Sequence, residues 1–350
     1  MSSTIQVMTG RERFLAAANM QSVDTTPVWF MRQAGRCLPE YRELRMKYAF
    51  LEVARTPELA VEATLMPVDR FGVDGAVLFA DIMLPLESLG VPFEIKPGVG
   101  PVIEHPIRTM EDVEKLRVVG PEEGTPYVLD ALRLLRRELD GRAAALGFAG
   151  APFTLACYLV DGRSGREYPA TKAMMYGQPD VWHGLMDKLT SVTELYLHGQ
   201  VEAGADAVQL FDSWLGLLGA DAYREFVQPY TTRIFSALKG KTRSIHFSTG
   251  TSHLLPVIRD TNPDMVSVDW RIRLDAAWEV IGRDKGIQGN LDPTMLMAPW
   301  SVVERAAGDI LEQAGNRPGH VFNLGHGILP ETDPDQLQRL TEFVHASGGR

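Results

Sequence analysis

The sequence predicts an α/β protein of one domain, a (β/α)8 TIM barrel. Two observations predict it. Eight short apolar runs of strand character alternate with helical patterns along almost the whole chain. The length, 350 residues, would otherwise suggest two domains, yet barrels of alternating strands and helices reach it undivided. An open, doubly wound sheet satisfies the same alternation, because periodicity carries no information about closure.

The domain is expected to occupy 1–350, with 1–10 as a flexible leader. Glu12–Met20 reads as a small helix. Val28–Met31 is the first strand: it is brief, apolar and aromatic, and Pro27 bounds it. Gly35 and Pro39 make Arg32–Leu38 a loop, with a helix opening near Pro39. The remaining strands are read at Gly75–Ala80, Ala144–Ala149, Ala207–Phe211, Ser244–Phe247, Met265–Val268, Gly286–Gly289 and His320–Leu324. Between them helices are read at Pro57–Asp69, Val128–Leu139, Pro179–Glu202, Ala220–Leu238, Leu255–Arg259, Ala276–Ile281 and Ser301–Ala314, and Pro334–Ala346 closes the chain. Phe93–Glu104 has β character around a turn from Pro97 to Pro101, which fits a hairpin inserted into a strand-to-helix loop. No linker or low-complexity tract interrupts the series.

Composition narrows the function. With 35 Lys and Arg against 45 Asp and Glu the formal charge is −10, so no electrostatic footprint for nucleic acid exists. An acidic chain still takes an acidic ligand where positive charge is focused in a cleft. Such a focus lies after the first strand, where Arg32, Arg36, Arg42 and Arg45 fall within fourteen residues. Each guanidinium offers a planar fork that meets a carboxylate or phosphate with two bonds. The same arginines serve equally as a solvated loop if they pair with Glu40 and Glu43. Two cysteines, Cys37 and Cys157, are too few for a disulfide framework and lack zinc-site spacing. No apolar run reaches membrane-spanning length and Met1–Arg11 has no signal-peptide core, so a cytoplasmic protein with no membrane partner is expected.

In a barrel the chemistry gathers at the carboxyl ends of the strands. Those positions hold Arg32 and Arg36, then Asp81, then the small residues Gly147 to Pro152 with Tyr158 in the following helix. Next come Asp212 and Ser213, then His246, Ser248 and Thr249, then Asp269, Asn290 and Asp292, and last His326 between two glycines. Each also has a structural reading. Asp81 and Ser213 suit helix caps, Tyr158 a core position, and His246 and Asp269 strand-end packing and capping. The glycines beside His326 permit close ligand approach, or the ring is structural. No Gly-x-Ser-x-Gly elbow, Walker loop or His-Glu-x-x-His pair is present. What survives is a set of arginines with one carboxylate and one histidine, around a cleft rich in Phe and Met. That set suits an apolar ligand edged with several negative charges.

The blocks themselves are specific. Pro27–Arg45, with its Arg-Gln-Ala-Gly-Arg core, resembles the first signature of the uroporphyrinogen decarboxylase family, and Gly147–Gly162 resembles the second. Phe79–Ile82, Phe211–Trp214, Gln288–Pro293 and Phe322–Gly327 resemble further blocks of that family in the right order. The resemblance implies a homodimeric (β/α)8 barrel working in heme and tetrapyrrole synthesis. It implies removal of carbon dioxide from the four acetate side chains of uroporphyrinogen III, giving coproporphyrinogen III, with no metal and no organic cofactor.

The resemblance also implies roles. Arg32 and Arg36 match arginines that bind substrate carboxylates, and Gln33, Ala34 and Gly35 share that loop. Asp81 matches an aspartate that accepts hydrogen bonds from the pyrrole N–H groups. Tyr158, Ser213 and His326 match further polar contacts, and Phe79, Ile82 and Phe211 match apolar packing for the macrocycle. Arg45 is a further candidate for carboxylate binding, while Arg42 reads as helix surface. The chain departs from the family at Cys37, usually Tyr, at Ala80, often Ser, and at Cys157, commonly Thr. A rival is a corrinoid-related methyltransferase on the same barrel, which would need a zinc-binding His-x-Cys; no histidine here has cysteine two residues on.

Overall fold

The computed structural model describes residues 7–96 and 98–347. Among them β1 (Gly75–Val77) is followed by an antiparallel hairpin, β2 (Glu94–Lys96) and β3 (Gly100–Val102). Then come β4 (Ala144–Gly150), β5 (Ala207–Asp212), β6 (Arg243–Ser248), β7 (Met265–Ser267), β8 (Gly286–Leu291) and β9 (His320–Leu324). Hairpin aside, every pairing is parallel and the order is β1-β4-β5-β6-β7-β8-β9. Helices lie between consecutive strands, so these strands are buried on both faces and read as near-continuous apolar runs.

The sheet rolls up, and the segment from Val28 to Met31 joins its two edges. Val28 forms a parallel bridge with Phe322 of β9. The Trp29 N–H donates to the Phe322 carbonyl at 3.3 Å, and the Phe322 N–H donates to the Pro27 carbonyl at 2.8 Å. On the other side the Asp74 N–H donates to the Val28 carbonyl at 2.8 Å. Few ladder bonds hold this eighth stave, and side chains supply the rest. The Val28 N–H donates to Asp74 Oδ2 at 2.8 Å and the Met31 N–H to Asn323 Oδ1 at 3.1 Å. Gln33 accepts from the Phe30 N–H and donates to the Gly75 carbonyl, both at 2.9 Å. Trp29 Nε1 donates to Gln288 Oε1, and Gln288 Nε2 donates on to Gln209 and Ser267, so a hydrogen-bonded polar layer crosses the barrel interior.

Local signals explain the element ends. Pro stands first in the helices Pro39–Lys47, Pro57–Phe71, Pro126–Leu139, Pro152–Asp161 and Pro179–Glu202, where its missing N–H is harmless and its fixed φ suits a helix. The first helix runs Gly10–Ala18, two residues earlier than read, because Thr9 and Glu12 form a capping box. Of the expected leader, 1–6 lie outside the described residues, while the Met8 N–H donates to Asp24 Oδ2 at 2.9 Å. The second strand ends at Val77 rather than Ala80, because the Phe79 N–H turns away to Thr64 Oγ1 at 2.8 Å. The helix read over Ala220–Leu238 is two, Ala220–Phe226 and Gln228–Leu238, with the break placed so that Pro229 falls in a first turn. The hairpin is where it was read, although Pro97 of its turn lies outside the described residues.

The amino end of the barrel is tied by a buried ionic knot. Arg13 grips Asp24 with two bonds of 2.6 and 2.8 Å and reaches Asp74 Oδ1 at 2.6 Å. Asp74 Oδ2 also meets His345 Nε2 at 2.8 Å, so the last helix, Pro334–Ser347, is fastened to the first. Burial would raise the Asp24 carboxyl, but the Arg13 fork and two backbone N–H donors hold it down at about 2.

Candidate active site

The carboxyl ends of the strands converge at the opposite end of the barrel. Arg32 leaves the first stave with φ 61°, in the left-handed region that L side chains seldom adopt. Its position is fixed by close neighbours. A Cβ on Gly35 would stand 2.7 Å from the Arg32 carbonyl oxygen, and one on Gly327 would stand 2.4 Å from Arg32 Cδ. Only bare glycine lets the arginine stem cross beside His326.

The arginines of this stretch divide into spent and free. Arg42 lies exposed on the helix Pro39–Lys47, as expected, and donates from there to the carbonyls of Arg36 at 2.8 Å and Cys37 at 3.0 Å, so it bolts the loop down. Arg45 donates to the Tyr48 carbonyl and lies 5.7 Å from the Phe50 ring centroid. Glu40, the loop's nearest candidate counter-ion, is taken by Arg70 at 2.6 Å. Arg32 and Arg36 are exposed, and neither pairs with a carboxylate among the described residues. The solvated-pair reading with Glu40 and Glu43 therefore does not describe them.

Asp81 follows β1 and is half-buried. Its Oδ1 accepts from the Met83 N–H at 2.8 Å, which caps the turn before the 3-10 helix Leu84–Leu89. Its Oδ2 has no hydrogen bond among the described residues. Burial pushes this carboxyl above the usual aspartate range, while the Met83 N–H and the Arg32 charge pull it back. Tyr158 is buried one helix away, edge-on to Tyr168 at 6.1 Å and to Trp214 at 6.3 Å. Burial, with the nearby Asp81, raises its phenol, so at neutral pH it is a donor. Ser213 caps nothing: the short helix Leu215–Leu217 starts beyond it without a side-chain cap, and its carbonyl accepts from Thr249 Oγ1 at 2.8 Å. Burial drives the His326 imidazole down to about 4, with the charges of Arg32 and Arg271 adding to the effect and Asp269 opposing it.

Apolar rings tie these groups together. Phe148, Phe211 and Phe247 pack edge to face at 5.4 and 5.3 Å, and Phe247 reaches His326 at 6.2 Å. Phe79 packs on Tyr41 at 5.4 Å and on Phe50 at 5.3 Å, which links the arginine helix to the Asp81 loop. Ile82 lies half-buried against β4, its carbonyl 2.9 Å from where a Gly150 Cβ would stand. Phe148, Phe247 and Trp214 escaped the sequence reading as contacts, although Phe148 and Phe247 share the inward parity of Phe211.

Other strand-end residues do not join. Gln33 is fully buried and both ends of its side chain are spent on backbone, so it shapes the loop from within. Asp212 and His246 point outward to the helical jacket: Asp212 accepts from Thr154 at 2.9 Å, and His246 lies 5.5 Å from Phe235. Asn290 donates to the carbonyls of Asp269 and Ile272, and Asp292 caps the turn at Thr294. Asp269 is buried and accepts from the Gly250 N–H and from Arg271. Cys37 is buried and its thiol is pushed up to about 11, so it packs the loop as an inert side chain.

A model of the family described as uroporphyrinogen decarboxylase (URO-D) matches residues 9–347. A protein named uroporphyrinogen decarboxylase from Sorangium cellulosum is 53% identical over 336 residues, covering 96% of each chain. Another of that name, from Roseiflexus sp., is 49% identical over 339 residues, covering 95% of this chain and 97% of its own. Among solved structures, a methyltransferase from Methanosarcina mazei superposes with a TM-score of 0.78 at 22% identity, covering 96% of this chain and 98% of that one. A B12-independent methionine synthase from Shewanella sp. superposes at 0.55 with 11% identity, covering 83% of this chain and 88% of its own. These two likenesses concern the barrel alone.

Proposed function

The chain belongs to the uroporphyrinogen decarboxylase family, and we propose that it decarboxylates the four acetate side chains of uroporphyrinogen III to give coproporphyrinogen III. One observation carries the roles of the residues. Of the arginines after the first stave, Arg42 and Arg45 are engaged, whereas Arg32 and Arg36 stand open, Arg32 beside Asp81 and His326 and Arg36 near Tyr41. Two open forks above an apolar floor suit a macrocycle rimmed with carboxylates.

The steps balance as follows for each acetate. A proton adds to the pyrrole α-carbon next to the ring carbon that bears the acetate, and the ring becomes cationic at the acetate-bearing carbon. The bond between the methylene and the carboxylate breaks, carbon dioxide leaves, and its electron pair forms an exocyclic double bond that neutralises the ring. A second proton converts the methylene to methyl as the ring proton is lost. The net change consumes one proton per carbon dioxide. Asp81, ionised and accepting from pyrrole N–H groups through Oδ2, stabilises the ring cation where it forms. Arg32 and Arg36 hold carboxylates in place, which is catalysis by positioning. Tyr158, protonated, and Ser213 donate to side-chain carboxylates. The free protein holds His326 neutral at pH 7, so it begins as a hydrogen-bond partner rather than as an acid.

The same membership supports a homodimer in the cytoplasm, and sedimentation of the purified chain at twice its mass checks the first. No helix among the described residues is long and apolar enough to cross a membrane. Anaerobic incubation with uroporphyrinogen III under reduction, followed by chromatography of the products, tests the activity. Hepta-, hexa-, penta- and tetracarboxylate products are expected in succession; an unchanged octacarboxylate would overturn the reading.

A further inference from the structure

The barrel rim carries a third arginine that no family signature pointed to. Arg271 follows β7 and Trp270, on the far side of β8 and β9 from the Arg32 loop. The β7 end is pressed against the glycine that precedes His326. A Cβ on Gly325 would stand 2.7 Å from the Trp270 nitrogen and 3.0 Å from Asp269 Cα. His326 is therefore bracketed, with the Arg32 stem crossing Gly327 on one side and the Trp270–Arg271 corner on Gly325 on the other.

The guanidinium is built into place. It lies 4.3 Å from the Trp270 ring centroid, and its NH1 donates to Asp269 Oδ2 at 2.6 Å. Asp269 is itself fixed by the N–H groups of Gly250 at 2.6 Å and Arg271 at 2.9 Å, and is 4% exposed. One arm of the fork is thus used, and the side chain remains 51% exposed with Nε and NH2 without a hydrogen bond among the described residues. The charge of Arg271 is felt at His326, where it disfavours the imidazolium while Asp269 opposes it. A stacked, oriented, half-open guanidinium whose charge reaches His326 is arranged for a carboxylate.

We propose that Arg271 is a third substrate-binding arginine, which takes a carboxylate of the porphyrinogen on the side of His326 opposite Arg32. The inference rests on the decarboxylase reading. A macrocycle with eight carboxylates presents charge on every edge, and Arg32 and Arg36 both follow the first stave. Arg271 gives the other side of His326 its own clamp, and Asp269 acts on substrate only by aiming Arg271.

Steady-state kinetics with uroporphyrinogen III on the full-length protein and on Arg271→Gln test it. Gln retains a donor for Asp269 but no charge. KM is expected to rise about tenfold, the effect of losing one part-exposed charge-assisted contact, with kcat within about twofold. The rise of KM with added salt is expected to be shallower in the variant, because one charge contact fewer remains to be screened. A brace for Asp269 and nothing more would lower thermal stability and leave KM and its salt response unmoved; that result overturns the proposal. Should Arg271→Gln fail to fold, Arg271→Lys keeps charge and loses the fork, and a KM raised about threefold is expected, an unchanged KM overturning the idea. Unsubstituted protein without turnover defeats the decarboxylase reading and this proposal with it. Normal turnover with an unmoved Arg271→Gln defeats this proposal alone.

Discussion

Gly327→Ala perturbs the proposed clamp without removing a charged group. The new Cβ would lie 2.4 Å from Arg32 Cδ, 2.7 Å from Cγ and 3.0 Å from Nε. Carbon atoms settle about 3.5 Å apart or more, so the arginine stem must retreat by about 1 Å. The atoms met belong to a side chain that is open to solvent, and Gly327 is not among the positive-φ glycines. The fold therefore accepts the methyl, and only the guanidinium moves. A displacement of about 1 Å at a positioning group costs on the order of 10²-fold in rate. The expected outcome is a kcat/KM about 30- to 100-fold lower on uroporphyrinogen III, or about 2–2.7 kcal/mol, with a Tm within about 2 °C. Product chromatography and calorimetry measure the two. Gly325→Ala is the contrast, because its Cβ meets the Trp270 nitrogen at 2.7 Å and Asp269 Cα at 3.0 Å, backbone that cannot swing aside. It is expected to lose about 1–3 kcal/mol of stability. A Gly327→Ala protein with kcat/KM within threefold of the parent would refute the placement of Arg32 as clamp.

Asp81→Asn should cut turnover by about 10²- to 10³-fold, since a neutral amide stabilises no ring cation. It should also raise the Tm at pH 7. The folded chain holds Asp81 above its ordinary value, so the native state binds the extra proton and loses stability as pH rises through that window, a penalty Asn lacks. Near-normal conversion by the folded variant would remove the assigned role. Arg36→Ala should raise KM about 10- to 100-fold with the fold intact, and unchanged saturation behaviour would count against it. His326 titrates in the free protein at about 4, below the ordinary imidazole. The kcat/KM profile should then show no His326 limb near 6.5, and stability should fall as pH drops from the ordinary value towards 4; a limb near 6.5 that disappears in His326→Gln would contradict this.

Much of this was readable because barrels repeat one local grammar. Proline at the first helical turn and apolar runs on the strands marked most elements to within a few residues. The six-residue helices Phe50–Arg55 and Met110–Lys115 passed unseen, being too short for periodicity, although Thr109 and Asp112 form a capping box that names the second. Strand ends are ambiguous in another way. Asp212 and His246 sit at the chemical end of the barrel yet face the jacket, because the adjacent Phe211 and Phe247 take the inward parity. Gln33 gave no sign of its burial, since its partner is a carbonyl 42 residues away. Arg271 was hidden by Asp269, the more familiar candidate on the same corner.

The seam of the barrel has a consequence for synthesis. Val28, which carries the arginine loop on its own strand, finds its ladder partner in Phe322, a residue made long after it. The Met31 N–H and the Arg32 stem depend likewise on Asn323 and Gly327. Every middle strand can pair with a neighbour already made, but the first stave must wait until β9 has been made. A nascent chain halted short of residue 320 would hold a curved sheet with its arginine loop unplaced, so the loop takes its final position only once β9 is present.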